Sequence, residues 1–506
     1  MRSYYITTPI YYVNDVPHIG HAYTTVASDI FARFMRLSGM EVKFLTGTDE
    51  HGQKVEKSAE KFGMSSQGFV DKMSVPFKDL CNILNISNDD FIRTTEERHK
   101  KAARYFWEKL KNNGHIYEGK YSGWYSVRDE AFYAESELTK EGLAPTGAPV
   151  EWMEEPSYFF NLSKWQDKLL EFYDANPDFI KPSSRRNEVI SFVKSGLLDL
   201  SISRTSMKWG IPVPGDEKHV MYVWLDALTN YISALGYPEK TADFEKFWPA
   251  NLHVVGKDIL RFHAVYWPAF LMAADLPLPK RIFAHGWWTN EGVKISKSLG
   301  NVINPVPLVE EYGADYVRYY MMREMVFGND GNFSKETFKN RINSELVNKI
   351  GNLCQRTLAF ISKNTDGVVP SAPNSQKLLE ESPLVNLVYS SVEIFKTQME
   401  NQQINLFLDG IIKISEEANI FIDKEAPWLL KKTDVNRMNE VLYILVEVIR
   451  CLGIFLLAIT PDSANKILDQ LVIEPDHRDL SFISLSHRLE PLKVLPEPQP
   501  IFKRLD

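Results

Sequence analysis

Between Tyr4 and Met35 the hydrophobic period changes once. Tyr4 to Thr8 reads as a strand, Pro9 to Pro17 as a loop, and Ala22 to Met35 as a helix with Ala22, Val26, Ile30 and Phe34 at i,i+4 spacing. Strand-like runs recur at Glu41 to Thr46, Leu252 to Val255 and Arg281 to Ala284, alternating with helical stretches at Ala102 to Asn112 and Ile259 to Met272. This alternation predicts an α/β fold with a doubly wound parallel sheet, whose ligands collect at the carboxyl ends of the strands.

The first loop ends in His18-Ile19-Gly20-His21 at a helix N-terminus. Unpaired backbone N–H groups and the positive dipole end favour phosphate there, the imidazoles of His18 and His21 can donate hydrogen bonds, and Gly20 admits a nucleotide close to the backbone. Far downstream, Lys294-Ile295-Ser296-Lys297-Ser298 supplies a pair of cations between Gly292 and Gly300. Taken singly, the first is an ordinary strand-to-helix turn and the second a solvated polar loop. Together they point to chemistry on ATP.

A chain of 506 residues has room for about two to four domains, and 44% hydrophobic with 25% charged residues is ordinary for a globular protein. The three cysteines, Cys81, Cys354 and Cys451, form no Cys-x-x-Cys pair, which argues against a disulfide framework or a cysteine zinc site and for a reducing cytoplasm. No leader and no apolar run of roughly 18 residues is expected, so no membrane partner. A net charge of −8 confines RNA contact to local basic patches such as Lys335, Lys339 and Arg341, or Lys431, Lys432 and Arg437, which solvated helix faces would explain equally well.

From Asn113 to Lys218 aromatic, Gly and Pro residues accumulate, with Leu143 to Pro149 rich in turn formers, as in an insertion that splits the nucleotide-binding fold. From about Asn332 helical periodicity takes over: Leu346, Ile350 and Leu353 share one face, as do Leu442, Leu445, Ile449 and Leu452. Pro427 marks a helix start or kink, and Pro491 to Pro500 reads as an extended tail. The expected units are 1–113 and 219–331, the two halves of the sheet domain; 114–218, the insertion; and 332–506, a helical bundle with its tail.

Six blocks in order carry a resemblance: Thr7 to Asn14, His18 to His21, Gly47-Thr48-Asp49-Glu50-His51-Gly52, Tyr222-Val223-Trp224-Leu225-Asp226-Ala227, Gly256-Lys257-Asp258, and Lys294 to Ser298. From about Tyr4 to beyond Trp428 the sequence resembles the methionyl-tRNA synthetases, a class I aminoacyl-tRNA synthetase family. The resemblance implies a Rossmann-like sheet split by a connective insertion and followed by a helical anticodon-binding bundle. It also implies activation of L-methionine with ATP, brought as its Mg2+ complex, and transfer of methionine to tRNA(Met). His18, His21, Lys294 and Lys297 would be catalytic. Gly20, Gly256 and Asp258 would hold ATP together with Lys297, the carboxylate of Asp258 suiting a ribose hydroxyl.

By the same resemblance Asp49 would take the methionine ammonium group, for which a charge-assisted hydrogen bond is suited, and Arg204 would help to hold Asp49 and the substrate; a surface salt bridge is the alternative for Arg204. Ile10, Tyr12, Trp224, Ala227, Leu228, Tyr231, Ile259 and His263 would line the side-chain pocket, where shape and sulfur–aromatic contact must do the selecting. Core packing would explain Trp224, Tyr231 and His263 as well, a donor tautomer of His263 toward the sulfur is a further option, and family members often carry Pro in place of Leu228. Trp428, Asn352 and Arg356 match the family's anticodon-reading positions, although a buried anchor is the residue-level alternative for Trp428.

Many family members hold zinc through Cys-x-x-Cys pairs in the insertion. Ser126, Asp129, Leu143 and Thr146 stand in those places, so no metal is expected. Synthetases for leucine, isoleucine and valine carry a longer editing insertion for which this chain has no room, and without an appended tRNA-binding domain a monomer is expected. Two other readings fit parts of the sequence. A small-molecule adenylyltransferase leaves the bundle and Trp428 without a task, and a catalytically silent tRNA-binding paralogue would not need His18, His21, Lys294 and Lys297.

Overall fold

The computed structural model describes residues 2–129, 131–133, 135–290, 292–295, 302–371 and 374–506. Its centre is a six-stranded parallel sheet of β1 (Ser3–Tyr12), β2 (Glu41–Asp49), β3 (Asp90–Arg93), β4 (Ile180–Lys181), β5 (Leu252–Gly256) and β6 (Ile282–His285), in the order β3-β2-β1-β5-β6-β4. The direction of winding reverses between β1 and β5, which opens a crevice at their carboxyl ends.

The sheet is buried on both faces, so its strands read as apolar runs rather than as alternating patterns. Tyr4 and Ile6 of β1 enter the core shared with α1 (Ile19–Leu37), whereas Tyr5 enters the opposite core with Phe106 and Trp107 of α2 (Glu97–Asn112). β1 runs past the expected end at Thr8 to Tyr12, through a register shift between Thr7 and Ile10. That irregularity accommodates Pro9, which has no N–H for a regular ladder.

The stretch expected as an insertion forms a four-stranded antiparallel sheet, in the order Ala131–Tyr133, Ile116–Ser126, Glu151–Phe160, Leu200–Ser201. The same stretch also returns β4 to the edge of the central sheet, where Ile180 pairs with Ile282. Past it lies the short helix α3 (Val223–Leu228).

The C-terminal third is helical. Every residue of the Val435–Leu456 helix from Val441 onward is buried. Its buried Glu447 and Arg450 neutralise each other through a 2.6 Å ion pair. The bundle and the sheet share one apolar core, in which Phe34 of α1 meets Phe407 edge-on at 5.3 Å. Among the described residues no helix is long and apolar enough to cross a membrane.

Candidate active site

His18 caps α1. Its Nδ1 accepts from the Gly20 N–H at 3.1 Å, while the His21 Nδ1 accepts from the His18 N–H at 3.0 Å. A ring nitrogen that accepts carries no proton, so in the neutral rings both protons sit on Nε2. The two imidazoles, with centroids 3.9 Å apart, therefore present Nε2–H donors. The expectation of unpaired backbone N–H groups at this helix end needs correcting: Ile19 N donates to Ile303 O at 3.0 Å, Gly20 N to His18, and Ala22 N to His18 O at 3.2 Å. Anion attraction here rests on the imidazole donors and the dipole instead. Gly20 has a local cause too, since a Cβ on it would lie 2.9 Å from His18 Cε1.

The capped turn opens onto a cleft of about 740 Å³ at the crevice between β1 and β5. Of the expected site residues, Ile10, Tyr12, His18, Gly20, His21, Asp49, Trp224, Ala227, Leu228, Tyr231, Gly256, Asp258, Ile259 and His263 line it. They arrive from the ends of β1, β2 and β5, from the start of α1, from α3, and, for Tyr231, Ile259 and His263, from the helical turns that follow α3 and β5. Trp224 stacks on Phe262 at 3.7 Å and 9° in the cleft wall. Asp49, at the end of β2, is 8% exposed and so presents a carboxylate in a largely dry setting.

His263 donates from Nδ1 to Ile259 O at 2.9 Å and accepts at Nε2 from the Tyr231 hydroxyl at 2.7 Å. Both nitrogens are committed, which removes the donor tautomer toward a sulfur. Burial also holds its pKa down at about 4, so the ring is neutral. Arg204 does not line the cleft and is no surface salt bridge: it is buried behind the wall, its guanidinium 4.6 Å from the Tyr222 ring centroid and donating to Ser201 Oγ and Ser203 O at 2.7 Å.

Asp258 leans over Gly256, where a Cβ would come within 2.6 Å of its Oδ1. Lys297, Ser296 and Ser298 lie outside the described residues, as does the side chain of Lys294, whose backbone pairs with Thr289. Ile295 lines the cleft. Sequence reasoning passed over other lining residues. Lys54 stands 5.5 Å over the Tyr12 ring, and Trp287, 45% exposed, lies under the Lys257 ammonium at 4.3 Å. The signal for each was its place: Lys54 follows the Gly47 to Gly52 block, and Trp287 shortly precedes the lysine loop.

In the insertion, Asp129 N donates to Ser126 Oγ at 3.2 Å, and Asp129 Oδ2 accepts from the hydroxyls of Thr146 and, at 3.1 Å, Tyr133. One carboxylate, two hydroxyls and the aliphatic Leu143 do not fit a tetrahedral zinc site. Hydrogen bonds tie the turn at these positions instead, and they place Arg128 and Asp129 in the cleft lining.

The expected anticodon residues come together on the bundle. Ala426, at φ 46° and ψ 65°, breaks the helix before Pro427, and Trp428 emerges 42% exposed with the Arg356 guanidinium 5.6 Å from its ring. It is no buried anchor. Arg356 pairs with Asp423 at 2.5 Å, and Asn352 reaches Asn419 at 3.4 Å. Two of the basic patch residues are structural cross-links: Arg341 pairs with Glu324 and Glu345, and Arg437 with Glu425 and Glu440.

Residues 4–146 and 143–358 match the family described as tRNA synthetases class I (M). The chain is 64% identical over 506 residues to the methionine–tRNA ligase of Rickettsia bellii (strain RML369-C), covering 100% of this chain and 99% of that protein. Against the methionine–tRNA ligase of Brucella suis biovar 1 it is 53% identical, with 99% and 98% covered. A solved structure of Mycobacterium tuberculosis methionyl-tRNA synthetase in complex with methionyl-adenylate superposes with a TM-score of 0.95 at 46% identity, covering 100% of both chains.

Proposed function

The chain belongs to the methionyl-tRNA synthetases of class I, and from that premise we propose how its cleft performs the reaction. The activity is methionine–tRNA ligation: L-methionine and ATP give methionyl-adenylate and pyrophosphate, and the methionyl group then passes to the 3′ end of tRNA. The observation that carries the site assignment is the pair of Nε2–H donors, set by the cap of α1, facing the same cleft as Asp49 and the aromatic wall of Trp224.

The methionine carboxylate attacks the α-phosphorus and pyrophosphate leaves, a step that needs no general base because the nucleophile is already ionised. His18 and His21 donate from Nε2 to phosphate oxygens, and Lys294 and Lys297 offset the charge that develops on the leaving group. Asp49 takes the ammonium group, and Arg204 supports the wall through Tyr222. Ile10, Tyr12, Trp224, Ala227, Leu228, Tyr231, Ile259 and His263 enclose the thioether side chain. Asp258 takes a ribose hydroxyl, Gly256 leaving room for it, and Mg2+ enters with the triphosphate. In the second step a hydroxyl of the terminal ribose attacks the methionyl carbonyl and AMP leaves. Residues 1–113 and 219–331 would form the catalytic unit and 114–218 the connective insertion. Residues 332–506 would read the anticodon of tRNA(Met) with Asn352, Arg356 and Trp428. The test is methionine-dependent exchange of labelled pyrophosphate into ATP; a purified chain that exchanges with no amino acid, or with another in preference, overturns this reading.

A further inference from the structure

Two of the sequence blocks carry residues that do not line the cleft. His51 follows Asp49 by two positions, and Asp226 stands between Trp224 and Ala227. They meet behind the pocket. Asp226 is 0% exposed, and its Oδ2 accepts from His51 Nδ1 at 2.6 Å while its Oδ1 accepts from His99 Nε2 at 2.7 Å. An ionised carboxylate away from water requires such donors. Burial pushes its carboxyl up, and the two imidazoles more than offset this, holding it at about 2.

Each imidazole is itself anchored. His99, on α2, meets Ser233 Oγ at 2.9 Å, and His51 packs edge-on against Trp209 at 5.5 Å. Trp209 in turn donates from Nε1 to Glu50 O at 2.6 Å and accepts from Gly52 N at 3.0 Å. The Glu50–Gly52 turn is thus gripped on one side by an indole and on the other by a carboxylate of α3. The walls of the pocket come from separate elements, Asp49 from the end of β2 and Trp224 and Ala227 from α3, and the His51–Asp226 bond joins the two.

We propose that Asp226, held by His51 and His99, is a positioning residue for methionine: it sets the distance between the carboxylate that takes the ammonium group and the wall that takes the side chain. This rests on the pocket assignment above. By the same assignment ATP is held at the His18 turn and at Asp258, which the clamp does not bond, so loosening this clamp affects the amino acid selectively.

The test is steady-state pyrophosphate exchange with the full chain. His51→Phe keeps a ring against Trp209 but loses the donor, whereas His51→Asn places an amide N–H where Nδ1 stands. His51→Phe is expected to raise KM for methionine on the order of 10-fold with KM for ATP held within about twofold, and His51→Asn to recover most of the loss. Asp226→Asn, isosteric but with one acceptor oxygen instead of two, should show the same split. An unchanged methionine KM in both His51→Phe and Asp226→Asn overturns the proposal. A parallel rise in both KM values, absence of rescue by His51→Asn, or failure of both variants to fold overturns it too, since the cluster would then serve stability alone. Asp49→Asn and Trp224→Ala separate the two levels: if these leave KM for methionine unchanged, the pocket assignment falls, and if they raise it while the cluster variants do not, only the clamp falls.

Discussion

His263, with Nδ1 bonded to the Ile259 carbonyl and Nε2 to the Tyr231 hydroxyl, is held neutral by burial, which lowers its pKa from 6.5 to about 4. On acidification the unfolded chain takes up this proton below about pH 6.5, whereas the folded chain does so only near pH 4. Stability therefore falls as pH falls through that window, by up to about 3 kcal/mol from this group. Burial also lowers His253 and His285, which push in the same direction, so the readout is a difference. His263→Gln should lose less stability than the parent between about pH 7 and about pH 5 in urea titrations, and an equal loss would remove His263 from the acid response. Lys297→Ala belongs to the same scale. It should lower the rate of adenylate formation on the order of 100-fold with little change in methionine binding, and an unchanged pre-steady-state rate would remove Lys297 from the transition state. The identity of these side chains was legible in the sequence. Which nitrogen carries the proton in His18, His21 and His263 was not, because that depends on partners such as the Gly20 and His18 N–H groups and the Ile259 carbonyl, which the chain supplies only once these turns are closed.

The element that makes the phosphate turn is α1, and its cap depends on Gly20 having no side chain. Gly20→Ala should push the His18 ring off its bond to the backbone, because the new Cβ would sit 2.9 Å from Cε1. Alanine is otherwise the better helix former by about 1 kcal/mol, so thermal stability should hold while pyrophosphate exchange drops on the order of 10-fold. A fall in Tm with unchanged exchange would reverse that assignment. Period and turn chemistry revealed β1, β2, β5, β6 and α1, because each is long enough for an apolar run or a repeat to show. β4 escaped, since two residues cannot display a period and Ile180–Lys181 pairs only with the distant β6. The end of β1 was also misplaced, as Pro9 signals a loop locally and is tolerated only beside a register shift.

Across the whole molecule, the cleft opens at the central sheet and Trp428 stands on the helical C-terminal third, and sheet and bundle share one continuous core. Trp428→Ala should therefore weaken tRNA charging by about 1–3 kcal/mol, the worth of one stacked base, and spare pyrophosphate exchange. Equal loss in both assays would return Trp428 to a structural role. Residue types and their order were enough to establish the family, the alternating sheet domain, the helical bundle and a set of residues that line the cleft, among them His18, His21, Asp49 and Trp224, because those signals are local or repeat along the chain. Folding alone settled which charged and aromatic groups face one another: Asp226 between His51 and His99, Arg204 behind the wall rather than in it, Arg341 and Arg437 bound to carboxylates, and Trp428 exposed rather than buried. Apart from the Arg341–Glu345 and Arg437–Glu440 pairs, which sit at helical spacing, those pairings join segments remote in sequence or depend on burial, and neither leaves a periodic trace in the order of the residues.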